Sequence, residues 1–435
     1  MNRQARIAEY IRLVCSQIRN REVHAAISFE LESHLEDKIE EYEAQGYSEQ
    51  QAIDRAIADL GDPVQVGRQL HRAHRPRMEW SVVAIVTVLI GVGLLAMYSL
   101  SSTQAAHPAG WSLFENKLLG TFAALILLPA ILFLDYRKWK RYSRPLFLGT
   151  LLLMLVTLLQ DYTVNGKPYL SLGAMHFDMF GASTLLLAIA LTGMFSDWQK
   201  KWMVPKACAL FLVPFVFYLS SHDLFAALMW FVCFSVLLLT SPAGKNAAFA
   251  LIGLNVTFAS LLVCLFIQPY QISRIAAFLD PHVQSDGAGY LYLQTRKIIQ
   301  SAGLWGNGLG TSANSLSLPA VESDFVFTYL VHSFGLATGV AVILLGIVLF
   351  ARLLKAVRRI PDRYGVMLMA GLMPLFFVPY FWSILMSLGV LPIAPVTLPF
   401  VSHGKGSFLM QILLIGLLLN VYRRKDILPW TECRR

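Results

Sequence analysis

The chain has 435 residues, of which 56% are hydrophobic and 14% charged, and its mean hydropathy is +0.55. A soluble chain carries roughly a quarter of its residues as charges, so a wholly water-facing surface is excluded. The formal charge of +9 lies between apolar runs and not on one polar face, which points away from nucleic acid and toward the basic cytoplasmic loops of a membrane protein.

The first 79 residues read as a small helical domain. Ile7, Tyr10, Ile11 and Val14 recur at helical spacing, and so do Ile27, Leu31, Leu35, Ile39 and Tyr42. Gly46 is a C-cap for the second helix. Ser48 caps a third, whose apolar face is Ala52, Ile53, Ala56, Ile57 and Leu60, and Gly61-Asp62-Pro63 ends it before a short fourth over 64–70. Met1 to Trp80 is polar, so no secretory signal is expected. ELESHLED, the Gly-Tyr-Ser turn and AIADLGDP together resemble the helical prefix domain found before many bacterial permeases and sensor-like membrane proteins. That resemblance implies a docking or regulatory module with an unknown cytoplasmic partner, or else a structural cap. His24, His34, His71 and His74 have no metal-ligand spacing, and Cys15, Cys208, Cys233, Cys264 and Cys433 are isolated, so neither a zinc site nor a disulfide framework is expected.

Beyond residue 79 the reading is all-α and polytopic. Apolar runs of the length a bilayer requires, about 20 residues, lie near 80–100, 117–134, 145–160, 174–195, 204–220, 224–240, 246–268, 325–352, 365–389 and 406–422. The third, fifth and sixth are short, and the fifth and sixth form a candidate broken hairpin around Ser220-Ser221-His222-Asp223. Basic residues crowd 135–144, Lys200, Lys201 and Lys206, the stretch from Arg352 to Arg363, and Arg423 to Lys425. These loops alternate with basic-poor ones at 101–116, 161–173 and 390–404. Ten spans with both termini in the cytoplasm satisfy the positive-inside rule at each loop.

The one long outer loop, 269–323, gathers the glycines and polar residues. Arg274 to Pro281 reads as a short amphipathic helix closed by a turn, and Tyr290 to Ile299 as a second one. Gly303, Gly306, Gly308 and Gly310 lack the preceding strand of a nucleotide-binding loop and are expected to make tight turns that bring backbone amides to a ligand. Asp324 stands at the mouth of the next apolar run. Its bland reading is a helix cap, and its sharp one is a functional carboxylate at membrane depth.

Several separated patterns then fall in one order: RIxxFLDP from Arg274, GxGYxxxQ from Gly287, GxxGxGLGxS from Gly303 and LPxxxSDFxF from Leu318. Asn165-Gly166 with Leu172-Gly173, Asp223-Leu224, Gly389-Val390-Leu391-Pro392 and Leu398-Pro399-Phe400-Val401-Ser402 with Gly404 follow the same scheme. From Trp80 onward the chain resembles the SEDS family, the FtsW/RodA/SpoVE proteins. The resemblance implies an inverting glycosyltransferase in a bacterial cytoplasmic membrane. Its substrate would be lipid II, its product peptidoglycan glycan strands for cell shape, division or sporulation, and its partner a class B penicillin-binding protein. It also implies Asp324 as general base, Arg274 and Lys297 as donors to pyrophosphate, and Glu322, Asp223, Ser402 and Lys405 as further substrate-binding residues. No cofactor is assigned, and a divalent cation such as Mg is left open.

The departures from the family pattern bear on catalysis more than on fold. Ala320 and Glu322 stand for the family's Glu and His, Asp178-Met179-Phe180-Gly181 for QPSE, and His332-Ser333 for paired glutamates. Lys167 is the one basic residue left where the family has an Arg-Arg pair. They keep two other readings in play, translocation of a lipid-linked precursor and a non-catalytic scaffold of a wall-synthesis complex. The translocation reading expects broken helices near Asp223 and Gly181.

Overall fold

The computed structural model describes residues 3–74, 78–102, 112–160, 162–164, 166–173, 175–196, 203–282, 287, 289–309 and 318–425. Cys433, Lys200, Lys201, Asn165, Gly310 and the side chain of Lys405 lie outside the described residues. The chain divides into two compact units, one of Met1–Met78, Ile360–Asp362 and Tyr422–Arg435, the other of Glu79–Arg359 and Arg363–Val421.

In the first unit the apolar periodicities become four helices: α1 (Arg3–Ser16), α2 (His24–Ala44), α3 (Glu49–Leu60) and α4 (Pro63–Ala73). Val14, Val23, Leu35, Ile39, Ala52 and Ala56 form a fully buried core between them. The punctuation follows the side chains. Gly46 and Gly61 take positive φ at the ends of α2 and α3, Ser48 and Gln51 make a capping box, and Asp62 accepts from the Val64 amide with Pro63 at the first helical position.

The second unit is a helical membrane bundle. Its helices are α5 (Trp80–Ser101), α6 (Leu113–Phe133), α7 (Ser143–Leu159), α8 (Met179–Ser196), α9 (Met203–Ser220), α10 (Leu224–Thr240), α11 (Lys245–Phe266), the short α12 (Pro269–Leu279) and α13 (Tyr290–Ser301), then α14 (Val326–Val357), α15 (Arg363–Ser387) and α16 (Lys405–Arg423). Eight helical segments among the described residues are long and apolar enough to span, and Val204–Ser220 and Leu224–Thr240 are shorter apolar helices. The segment Tyr136–Tyr142 is a 3-10 helix that runs into α7, which gives the third span its missing length. The chain is a multi-pass membrane protein.

Two further span starts lie four and five residues from expectation. The second begins at Leu113 and not at 117, because Ser112 and Glu115 form a capping box that adds a polar turn (Ser112 N to Glu115 Oε2 2.8 Å). Lys117 is thereby placed inside the helix. The fourth begins at Met179, since the residues before it form two small antiparallel hairpins, Thr163–Val164 with Lys167–Pro168 and Leu170–Leu172 with Met175–Phe177. Two buried tyrosines inside the bundle find partners for their hydroxyls: that of Tyr329 bonds Ser99 at 2.7 Å, and that of Tyr218 bonds Ser183 at 2.7 Å. At the far end of α6 the Asn420 amide donates to the carbonyls of Ile131 and Leu134, closing helix-end groups that lipid could not satisfy.

The glycine run of the long loop has a different partner from the one expected. Gly335 breaks α14 with φ 87° and ψ 168°, and the backbone of 303–308 fills the break. Asn307 N donates to His332 O (2.9 Å), Gly308 N to Ser333 O (3.0 Å) and Leu336 N to Gly303 O (3.0 Å). These amides therefore satisfy the interrupted helix and are not offered to a ligand. The break also lies here and not at Gly181, which sits in the first turn of α8 with its amide on Asp178 Oδ1 (2.8 Å).

A methyl group on Gly335 would stand 2.1 Å from the Leu304 carbonyl oxygen, in a backbone region that disfavours side chains. Gly335→Ala should therefore lower the thermal unfolding midpoint of the detergent-solubilised protein, by a cost on the order of 1–3 kcal/mol or more. Gly253→Ala, where an added methyl meets open space, should leave it unchanged. Removing the Asn420 cap by Asn420→Leu should cost about 1–3 kcal/mol in the same measurement.

Candidate active site

Asp324 follows a turn set by Ala320, whose φ is 51° and whose carbonyl oxygen takes the amides of Ser323 (3.1 Å) and Asp324 (3.0 Å). The cap reading of Asp324 does not hold. The helix starts at Val326, its N-cap position is Phe325, and no side chain caps it. The carboxylate is thus left free of the structural task that would account for it.

Asp324 is half-buried. Burial raises its carboxyl above the ordinary carboxylate value, the Ser323 hydroxyl and the charges of Lys167 and Arg274 pull it back, and Glu322 adds to the rise. The site therefore holds a carboxyl that keeps its proton more readily than usual, with two cations acting on it. Glu322, expected as a binding residue, is a partly exposed second carboxylate whose backbone carbonyl oxygen accepts the His403 amide at 2.7 Å.

Ser402 joins this turn to the loop before α16. Its hydroxyl donates to the Ser323 carbonyl (2.6 Å) and accepts from the Leu398 amide (2.8 Å). With its oxygen engaged on both sides, Ser402 acts here as a clamp that positions Ser323 and Asp324. The Phe400 amide donates to Gln411 Oε1 at 2.8 Å, which fixes the same loop to α16.

A cluster on the hairpin and the mouth of α8 supplies charge. Lys167 Nζ lies 2.5 Å from Asp223 Oδ2. Burial works against the Lys167 ammonium, yet the charge and hydrogen bond of Asp223, with Asp178, hold its pKa above the ordinary lysine value. Asp178 is pushed up by burial, and the Gly181 amide and Lys167 oppose the rise. Asp223, predicted to bind substrate, caps α10 by accepting from the Ala226 amide (3.0 Å) as well as pairing with Lys167. The pattern of residues singles out Asp223 but passes over its partner Lys167, which a lone basic residue in a polar loop does not advertise.

Helices α12 and α13 are tied down beside these loops. Gln271 of α12 donates to the His222 carbonyl (3.2 Å), and the Tyr292 hydroxyl of α13 accepts from the Ile393 amide (2.9 Å). Arg274 is exposed on α12, with its guanidinium 6.0 Å from the Tyr270 ring. Lys297 is exposed on α13 and, unlike Arg274, is not one of the charges that act on Asp324. Among the described residues no three of His, Cys, Asp and Glu gather to hold a metal ion.

Residues 79–427 match the family described as "Cell cycle protein", that of FtsW, RodA and SpoVE. Stage V sporulation protein E of Bacillus subtilis is 27% identical over 354 residues, covering 79% of this chain and 96% of its own. The probable peptidoglycan glycosyltransferase FtsW of Geobacter sp. is also 27% identical, over 355 residues and the same shares of the two chains. The fold is similar to that of a chain from a peptidoglycan synthase complex studied for coordination of polymerization and crosslinking, with a TM-score of 0.65, 22% identity and coverage of 80% of this chain and 98% of that one. It is similar also to the rod shape determining protein RodA of Thermus thermophilus, with a TM-score of 0.59, 20% identity and coverage of 80% and 97%. With four-fifths of its length matched, this chain belongs to the FtsW/RodA/SpoVE family of cell cycle proteins.

Proposed function

We propose that the chain is a membrane glycosyltransferase that polymerises lipid II into peptidoglycan glycan strands, in the service of cell shape, division or sporulation. The observation that carries this reading is Asp324: a half-buried carboxylate without a capping role, held in place through Ser323 and Ser402, with Lys167 and Arg274 acting on it. The names of the FtsW relatives support the same class of reaction.

The chemistry is an inverting transfer. A sugar hydroxyl of the acceptor attacks the anomeric carbon of the donor, the hydroxyl proton passes to Asp324, and undecaprenyl pyrophosphate leaves. A raised carboxyl pKa suits a base that must take a proton near neutral pH. Arg274, exposed on α12, is placed to neutralise charge on the departing pyrophosphate. The protein lies in the bacterial cytoplasmic membrane with both termini in the cytoplasm, the arrangement that puts the basic loops inside and Asp324 outside. A class B penicillin-binding protein is the partner that would crosslink the product, in keeping with the pairing of polymerization and crosslinking in the synthase complex of similar fold.

Translocation by a broken helix would need unwound backbone lining a cavity. At Gly335 the loop backbone of 303–308 occupies the break, which favours polymerisation over transport.

With purified protein and labelled lipid II, Asp324→Asn should reduce glycan polymer by on the order of 10²- to 10⁴-fold while the protein's thermal midpoint stays put. Undiminished polymer would remove this carboxylate from the reaction. The working form is the deprotonated one, so activity should fall as pH falls through a value above the ordinary 3.8 of an aspartate. A pH–rate profile with its acid limb at or below 3.8 would contradict the assignment.

A further inference from the structure

Among the described residues three that are not glycine take positive φ, and all three stand in turns of the candidate site. They are His222 (φ 58°) next to Asp223, Ala320 (φ 51°) four residues before Asp324, and Phe400 (φ 66°) two residues before Ser402. Backbone of this kind persists only where the surrounding contacts over-determine it. The Ala320 and Phe400 turns are strapped to each other twice, by the Ser402 hydroxyl on the Ser323 carbonyl (2.6 Å) and by the His403 amide on the Glu322 carbonyl (2.7 Å).

The Phe400 turn is in turn held from three helices. Its own closure puts the amides of Val401 (3.2 Å) and Ser402 (3.0 Å) on the Leu398 carbonyl. Helix α5 presses on it at Gly93, where an added methyl would stand 2.6 Å from the Phe400 carbonyl oxygen. Helix α16 holds the Phe400 amide through Gln411. The third hold comes from α6: Lys117, 3% exposed, donates from Nζ to the Ser402 carbonyl oxygen at 2.8 Å, with its ammonium 4.2 Å from the centre of the Phe408 ring.

Packing alone does not call for a lysine there. An ionisable side chain at membrane depth is costly, and an apolar chain of the same length would fill the space. What the ammonium adds is a charge-assisted bond, about twice as strong as a neutral one, to one particular carbonyl. From that residue a path of hydrogen bonds leads to the carboxylate. Lys117 holds the Ser402 carbonyl, the Ser402 hydroxyl holds the Ser323 carbonyl, and the Ser323 hydroxyl bonds Asp324. The charge of Lys117 is not one of the leading charges that act on Asp324, so its influence passes through the geometry of the two turns.

We propose that Lys117 is a positioning residue for the Asp324 carboxylate, acting through Ser402 and Ser323 and touching no substrate. Its effect on turnover rests on the glycosyltransferase reading above, whereas its effect on the carboxylate does not.

The test uses the full chain in nanodiscs as wild type, Lys117→Met, Lys117→Arg, Ser402→Ala and the Lys117→Met/Ser402→Ala double variant. The first readout is the infrared titration of the Asp324 carboxyl, identified by its loss in Asp324→Asn. Lys117→Met should let the turn relax and admit water, so that the titration midpoint falls toward the ordinary 3.8. Ser402→Ala should do the same, the double variant should add nothing further, and Lys117→Arg should stay with wild type. The second readout is polymerisation of labelled lipid II, where Lys117→Met should lower kcat on the order of 10²-fold with KM nearly unchanged. If Lys117→Met lowers the thermal midpoint yet leaves the Asp324 titration in place, the lysine is structural and the proposal falls. Additive effects of Lys117→Met and Ser402→Ala, or a loss confined to KM, overturn it as well. Should Lys117→Met fail to fold, Lys117→Gln keeps one donor without the charge; it should shift the midpoint the same way by less, and no shift refutes the proposal. A wild type that makes no polymer counts against the glycosyltransferase reading, while the infrared titration still decides this one.

Discussion

The candidate site of the membrane unit depends on the hydroxyl of Ser402. One small side chain accepts the Leu398 amide and donates to the Ser323 carbonyl, and its own carbonyl holds Lys117. Three segments distant in sequence, the start of α6, the turn before α14 and the loop before α16, are thereby tied through one residue. A site built on loops needs such ties, because a loop alone does not hold a carboxylate within the fraction of an ångström that proton transfer asks for.

The second support is the insertion of the 303–308 backbone into α14. A helix interrupted at membrane depth leaves amides and carbonyls that lipid cannot satisfy. Here they are satisfied by another piece of the same protein, and Gly306 and Gly335 are what let the two backbones come so close, since an added methyl would stand 2.4 Å and 2.1 Å from the opposite backbone. The loop that carries α12 and α13 is therefore anchored to α14 at the break around Gly335.

Much of this is legible in the sequence, and for identifiable reasons. Helical spacing places α1 to α4, because burial of Leu35, Ile39 and Ala56 demands it. Apolar length places the spans, because hydrocarbon thickness demands that. The glycine run reads as tight turns, which it is, but a glycine does not say which partner approaches it, and the partner is α14. Asp324 reads as a cap because an acid before an apolar helix usually is one, and only the fold shows that the helix begins two residues later. Lys167 and Lys117 do not stand out as site residues, since each depends on a partner far away in sequence: Asp223, 56 residues on, and Ser402, 285 residues on. No periodicity encodes such a pairing.

The charges around the candidate site follow one logic. Asp178 and Asp324 are both held above the ordinary carboxylate value by burial, and the Lys167 charge opposes the rise in each. Asp223 is the carboxylate that Lys167 actually contacts, and it also caps α10. A cation committed to one acid cannot fully neutralise two others, so the Lys167–Asp223 contact leaves Asp324 only partly compensated. That is the electrostatic state a general base requires: ionised often enough to react, and reluctant enough to ionise that it accepts a proton. Where the family pattern has two arginines on this segment, this chain has a single lysine paired to Asp223, and burial is the first cause that keeps the Asp324 carboxyl raised.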